Sequence, residues 1–197
     1  DFGYSIVEAN EKFGVILGKV DILVSIPLSL NVAFSVALVP FVSSALAKNK
    51  KKEAVDKINF SMKVSSIIAL PCTAGLFLLA TPIFELIFPN APGGAELLKI
   101  QCFMIVFSVV AQTLSGALRG FGKLMAPGIC LFIGAVVKYV LNVIFIPMYG
   151  EVVPAITTVI YNAISFILSF IILYRTMKEK PNIFELFIKP LIATILM

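Results

Sequence analysis

Apolar positions in this chain run in long blocks, not in the two-residue alternation of strands or the narrow stripes of soluble helices. Ile22 to Ala47 carries no charge, nor does Val64 to Phe84, nor Ile100 to Leu118. Leu124 to Tyr149 is interrupted only by Lys138, and Val152 to Leu173 by nothing charged. A last block, Ile183 to Met197, carries Glu185 and Lys189 near its start. About 20 apolar residues in a helix cross ~30 Å of hydrocarbon. Only helices and closed barrels satisfy their backbone in lipid, and barrel strands alternate over about ten residues. The blocks therefore predict transmembrane helices near 20–47, 58–88, 97–118, 124–148 and 152–174. Residues 1–19 are expected as an extracytoplasmic segment, 176–182 as a cytoplasmic loop, and 183–197 as the start of a further helix. The chain opens at Asp1 and closes inside an apolar run, so a piece of a longer protein is expected.

The connecting segments sort by charge. Lys48, Lys50, Lys51, Lys52, Lys57 and Lys63 outweigh Glu53 and Asp56 in the first. Between Glu85 and Glu96 there is no Lys or Arg, with Lys99 just beyond. The tight third connection has Arg119 and Lys123, the Tyr149–Gly150–Glu151 turn has no basic residue, and the fifth has Arg175, Lys178 and Lys180 against Glu179. Lys and Arg stay on the cytoplasmic side, so 48–63, 119–123 and 175–182 are expected inside a bacterial inner (plasma) membrane, and the first helix is expected to run inward.

Composition agrees. Of 197 residues, 59% are hydrophobic and 14% charged, where soluble domains have roughly 25% charged; mean hydropathy is +1.02. The net charge of +5 is that of basic loops, and no nucleic-acid partner is expected. Cys72, Cys102 and Cys130 lie in apolar runs without metal or redox spacing. There is no histidine, and no triad, phosphate-cradling glycine loop or carboxylate pair stands out; no catalytic role and no cofactor is expected.

A few polar residues inside the spans carry the candidate chemistry. Lys138 sits near the middle of the fourth span, where a lysine costs roughly 2.5–3.5 kcal/mol on insertion scales. Asn142 follows and Gly134 precedes it on the same helical face. Lys138 reads either as a cation facing an interior cavity or as a snorkelling or structurally paired lysine. Gln101, Ser108, Gln112, Ser115 and Arg119 fall within about 60° of one another around the third span. Thr158, Asn162, Ser165 and Ser169 repeat the pattern on the fifth. Such stripes either bond helices together or line a hydrated cavity. Asp21 opens the first span, with Ser25 and Ser29 on its face. Pro27, Pro40, Pro71 and Pro127 mark spans where kinks are expected.

Several segments resemble a known family. Ile26–Pro27–Leu28 through Leu38–Val39–Pro40–Phe41–Val42–Ser43 is similar to the "P-x-x-L … x-V-P-x-x-S" helix of bacterial polysaccharide and lipid-linked oligosaccharide flippases. Leu70–Pro71–Cys72–Thr73–Ala74–Gly75–Leu76, Ala80–Thr81–Pro82–Ile83 and Leu86–Ile87–Phe88 resemble their next helix. Ser115 to Lys123 with Pro127 looks like their "G-x-L-[QR]-G-x-G-[KR] … P" turn, and Val137 to Asn142 like their "VK-x-x-LN" helix. The resemblance covers about 20–175. It is to the stage V sporulation protein B-like group of the multidrug/oligosaccharidyl-lipid/polysaccharide exporter superfamily, which also holds the lipid II flippases.

That resemblance implies an all-α, polytopic transmembrane helix bundle, here the second bundle of a two-bundle, MATE-like transporter. It implies a monomer that moves a polyprenyl-diphosphate-linked saccharide, among membrane lipids as partners, by alternating access. A cation-coupled multidrug or metabolite antiporter of the same superfamily is the alternative, and a polytopic envelope enzyme a more distant one. Candidate cavity residues are Lys138, Asn142, Gln112, Ser108, Ser115, Arg119, Thr158 and Asn162. Sodium or proton coupling is implied by relatives that hold sodium with an Asn/Asp pair on the fourth span and a Thr on the next. Here Asn142, Thr157 and Thr158 would stand at those places, and Lys138 departs from the carboxylate, so its ammonium is expected to replace the ion. Tyr149 to Ala155 also departs from the family's small-residue turn.

Overall fold

The computed structural model describes residues 14–89, 94–150 and 152–178, with isolated positions at 190, 192 and 194. The expectations for 1–13, for the 90–93 part of the second connection, for Glu151 and for most of 179–197 lie outside the described residues. Every element among the described residues is helical. A π-helical turn, Ile16–Val20, leads into α1 (Asp21–Ala47), followed by α2 (Lys51–Leu78), α3 (Ala80–Ile87), α4 (Ala95–Gln101), α5 (Met104–Gly120), α6 (Ala126–Tyr149) and α7 (Val152–Met177). Four of these, α1, α2, α6 and α7, are long and apolar enough to cross a membrane; α4 and α5, bent by 41°, make a fifth if counted as one span.

Two of the expected spans are broken. Residues 58–88 divide at Leu79, one residue past the Leu78 carbonyl that Pro82 cannot engage because it lacks an N–H. Residues 97–118 divide at Cys102–Phe103 with no proline or glycine to announce it. There the Cys102 thiol donates to the Lys99 carbonyl at 3.1 Å, and Thr73 of α2 donates to the Cys102 carbonyl at 3.5 Å. Local carbonyls thus find partners outside the helical ladder, as a break within a membrane requires. Three boundaries also move: α2 begins at Lys51, not near 58, so most of the basic connection expected over 48–63 is helical. Pro127 lies in the first turn of α6, where its missing N–H costs nothing, so it starts that helix instead of kinking it. The helix expected to end near 174 continues to Met177, one turn into the expected loop.

The core has two buried clusters. One joins Leu38 and Val42 of α1, Ile58 and Met62 of α2, Leu114 and Leu118 of α5, and Leu173 and Met177 of α7. It gathers the basic connections, with Lys48 to Lys52, Arg119 and Arg175 following these segments in the sequence, toward one end of the bundle, called here the basic end. The other cluster joins Val20, Val24, Phe84, Leu98, Cys102 and Ile105 at the opposite end. Between them α1 and α5 meet closely. A Cβ on Gly116 would lie 2.3 Å from the Ser35 carbonyl oxygen, and one on Gly120 would lie 2.6 Å from Val42, so both sites depend on glycine.

α6 is placed differently. It packs along α7, touches α5 briefly and hardly meets α1. Gly134 seats it: a Cβ there would lie 2.8 Å from the Ser165 hydroxyl and 2.9 Å from Tyr161. Phe132, Tyr139 and Val143 are exposed, as expected of surface that faces lipid or a further part of the protein.

Candidate functional site

The gap between α1 and α6 is a groove of about 330 Å³. α5 contributes Ser108, Gln112, Ser115 and Arg119, successive positions of one helical face. α7 contributes Asn162 and Ser165. Leu28, Val32, Ser35 and Val36 of α1 form one wall, and Leu131 of α6 stands opposite. The groove is therefore polar along α5 and α7 and, Ser35 apart, apolar along α1 and α6.

Its polar atoms are held by bonds between helices. Ser108 donates to Asn162 Oδ1 at 2.7 Å, and Asn162 Nδ2 donates to the Thr158 carbonyl at 2.8 Å. Ser35 donates to the Gln112 carbonyl. Arg119 is exposed at the basic end and has no carboxylate partner among the described residues, leaving its five donors for water or an anion.

Behind the groove is a buried node that the sequence reading did not single out. Asn31 of α1 is fully buried. Its Nδ2 lies 2.8 Å from the Val109 carbonyl, 3.2 Å from Gln112 Oε1 and 3.3 Å from Thr113 Oγ1. Ser65 of α2 donates to Asn31 Oδ1 at 2.8 Å and lies 2.7 Å from Thr113 Oγ1. One amide thus ties α1, α2 and α5 together and holds Gln112 at the groove. The available signal was that Asn31 is the one amide in the charge-free run Ile22 to Ala47; without a second polar residue at helical spacing it formed no stripe.

The remaining candidates fall elsewhere. Lys138 is half-buried, with its ammonium 5.9 Å from the centre of the Tyr161 ring. Asn142 Oδ1 accepts from Thr157 at 2.7 Å, bonding α6 to α7 beyond Lys138. Thr158 donates to the Pro154 carbonyl of its own helix at 2.6 Å. Thr157 also lines an apolar trough of about 490 Å³ with Leu141, Phe145, Tyr149 and Ile156. None of Lys138, Asn142, Thr157 and Thr158 lines the polar groove. The set does not suit a sodium ion: the Asn142 oxygen already takes the Thr157 hydroxyl, and an ammonium lies one turn away on the same helix. Ser25 and Ser29 donate to Ile22 and Ile26 carbonyls at 2.7 Å within α1, so the face that begins at Asp21 does not converge on the groove. Asp21 instead accepts from Gln101 Nε2.

Long apolar helices, basic segments gathered at one end and a lateral groove with polar residues on two helices define a multi-pass membrane protein of bacterial type. Residues 20–144 match the MatE family, and the chain belongs to that family. It is similar to two proteins of Bacillus subtilis (strain 168). One is described as the uncharacterized membrane protein YabM, 32% identical over 119 residues, which are 60% of this chain and 22% of that protein. The other is the lipid II flippase MurJ, 28% identical over 172 residues, 85% of this chain and 31% of that protein. The chain thus spans less than a third of the length of either relative.

Proposed function

We propose that this chain is the second helical bundle of a bacterial transporter that flips a polyprenyl-diphosphate-linked saccharide, without covalent chemistry, by alternating access. The observation that carries the reading is the groove. α1 and α6 hardly meet, so the groove opens sideways, and its polar residues lie on α5 and α7 between apolar walls. Such a cross-section suits an amphiphile whose headgroup needs hydrogen bonds while its chain stays in lipid. Arg119 at the basic end supplies a bidentate donor for a diphosphate, on the side where basic loops place the cytoplasm. The similarity to a lipid II flippase supports this substrate class. Rocking of this bundle against the rest of the protein would expose the groove to each side in turn.

The test is flipping of a fluorescent polyprenyl-diphosphate-linked sugar by the full-length protein in proteoliposomes. Arg119→Gln is expected to lower the rate at least about tenfold, the loss of one charge-assisted contact at roughly 1.5–3 kcal/mol. An unchanged rate in both Arg119→Gln and Gln112→Leu would remove the groove from the transport path.

A further inference from the structure

An open recess of about 600 Å³ lies on the flank of the α1–α2 hairpin at the basic end. It shares no lining residue with the polar groove. Lys52, Glu53, Asp56, Lys57 and Phe60 of α2 line it, with Phe41 of α1. Spacings of three and four put the α2 residues on one helical face, and all five are exposed.

The chemistry of the recess changes with depth. Lys52 is in the first turn of α2, and Phe60 follows eight residues on, about 12 Å along the axis. The headgroup layer of one leaflet is only about 5–7 Å thick, so the recess runs from headgroup level into hydrocarbon. Lys57 stands between the two. Its ammonium is 5.5 Å from the centre of the Phe41 ring and 5.4 Å from that of Phe60. Ring faces attract a cation, so the two rings hold this charge at the boundary. Neither Lys52 nor Lys57 has an ion pair among the described residues, which leaves their N–H donors for an anion. Glu53 is taken by Lys50 at 3.1 Å, whereas the Asp56 carboxylate is open to a hydroxyl donor. From Lys48 to Lys57 five lysines stand against two carboxylates, so the field at the mouth is positive. Phe34 and Ile67, each two turns deeper on the same faces of α1 and α2, are exposed as well. They continue the apolar surface of Phe41 and Phe60 into the membrane.

We propose that this recess binds an anionic phospholipid of the cytoplasmic leaflet, one with headgroup hydroxyls of the phosphatidylglycerol class. The Lys52 and Lys57 ammonium groups donate to its phosphate oxygens, and Asp56 accepts from a headgroup hydroxyl. Phe41 and Phe60, then Phe34 and Ile67, lie along its acyl chains. A soluble phosphate has no chains to use the rings, and a choline lipid has neither net charge nor a headgroup hydroxyl. The site is separate from the groove, and its test does not depend on transport.

Native mass spectrometry of the full-length protein in a neutral detergent counts bound lipid after addition of dioleoyl phosphatidylglycerol or dioleoyl phosphatidylcholine. Phosphatidylglycerol adducts are expected to exceed phosphatidylcholine adducts at least about fivefold. Lys52→Gln with Lys57→Gln is expected to lower them at least about threefold. Lys48→Gln with Lys51→Gln removes the same charge outside the recess and is expected to lower them less than about 1.5-fold. Phe60→Ala, with every lysine kept, is expected to lower them about twofold. Glycerol phosphate in large excess, a headgroup without chains, is expected to leave them unchanged. Equal binding of the two lipids, equal losses in the two lysine pairs, or displacement by glycerol phosphate would overturn the site. In liposomes, phosphatidylglycerol with brominated chains is expected to quench a bimane on Ile67→Cys, in a background without other reactive cysteines. An unquenched probe would mean that the rest of the protein covers this face, and would overturn the site equally.

Discussion

α5 and α6 are neighbours in the chain and opposite in construction, α6 being the more apolar of the two. α5 lies against α1, α2 and α7; glycines bring α1 onto its backbone, and the Asn31 amide ties it to two helices at once. α6 leans on α7 and leaves most of its surface uncovered. Ser108, Gln112 and Thr113 of α5 are bonded to neighbouring helices, whereas Lys138 on α6 rests over the Tyr161 ring. A bundle with one fixed and one loosely held wall can widen a groove without dismantling its core.

The largest test of that contrast is a pair of glycines. Gly116→Val forces a side chain into the Ser35 carbonyl and is expected to cost about 3 kcal/mol or more. Gly128→Val on α6 points into open space and is expected to stay within about 0.5 kcal/mol. Melting of the purified protein in detergent compares them; equal shifts would mean that α6 is as tightly held as α5. Next in size is Asn31→Leu, which removes four contacts but leaves Ser65 and Thr113 bonded to each other. Its expected cost is about 1–2 kcal/mol, with Gln112 released as well, so flipping should fall further than stability does. Smallest is Asn142→Ala, which breaks only the bond to Thr157. An interhelical bond in lipid averages about 0.6 kcal/mol, and chemical denaturation should register no more than twice that.

The helical class and the register of the α5 stripe were legible because each rests on periodicity. Ser108, Gln112, Ser115 and Arg119 stand out at spacings of three and four in an apolar background, and one helix face is one wall. Depth against a neighbouring helix is not periodic. Lys138 and Asn142 share a face, but which residues of α1 and α7 stand level with them depends on the tilt of three helices. Thr157 and Thr158 were indistinguishable by position; the fold gives one to Asn142 and turns the other onto its own backbone. The bend at Cys102 was hidden because no proline or glycine marks it, and the Thr73 hydroxyl that reaches the Cys102 carbonyl is 29 residues away. The break at Leu79 was within reach, since Pro82 fixes the carbonyl it cannot use.

The seat of α6 on Gly134 bears on how the protein is made. A helix that carries a lysine near its middle and touches little besides α7 has little in this part of the protein to hold it while α7 is still being synthesised. Gly134 lets the two backbones close up, with Tyr161 beneath the ammonium and the Asn142–Thr157 bond farther along. α6 and α7 therefore suit entry into the bilayer as one hairpin, the second helix sheltering the charge of the first at the moment it leaves the translocation channel.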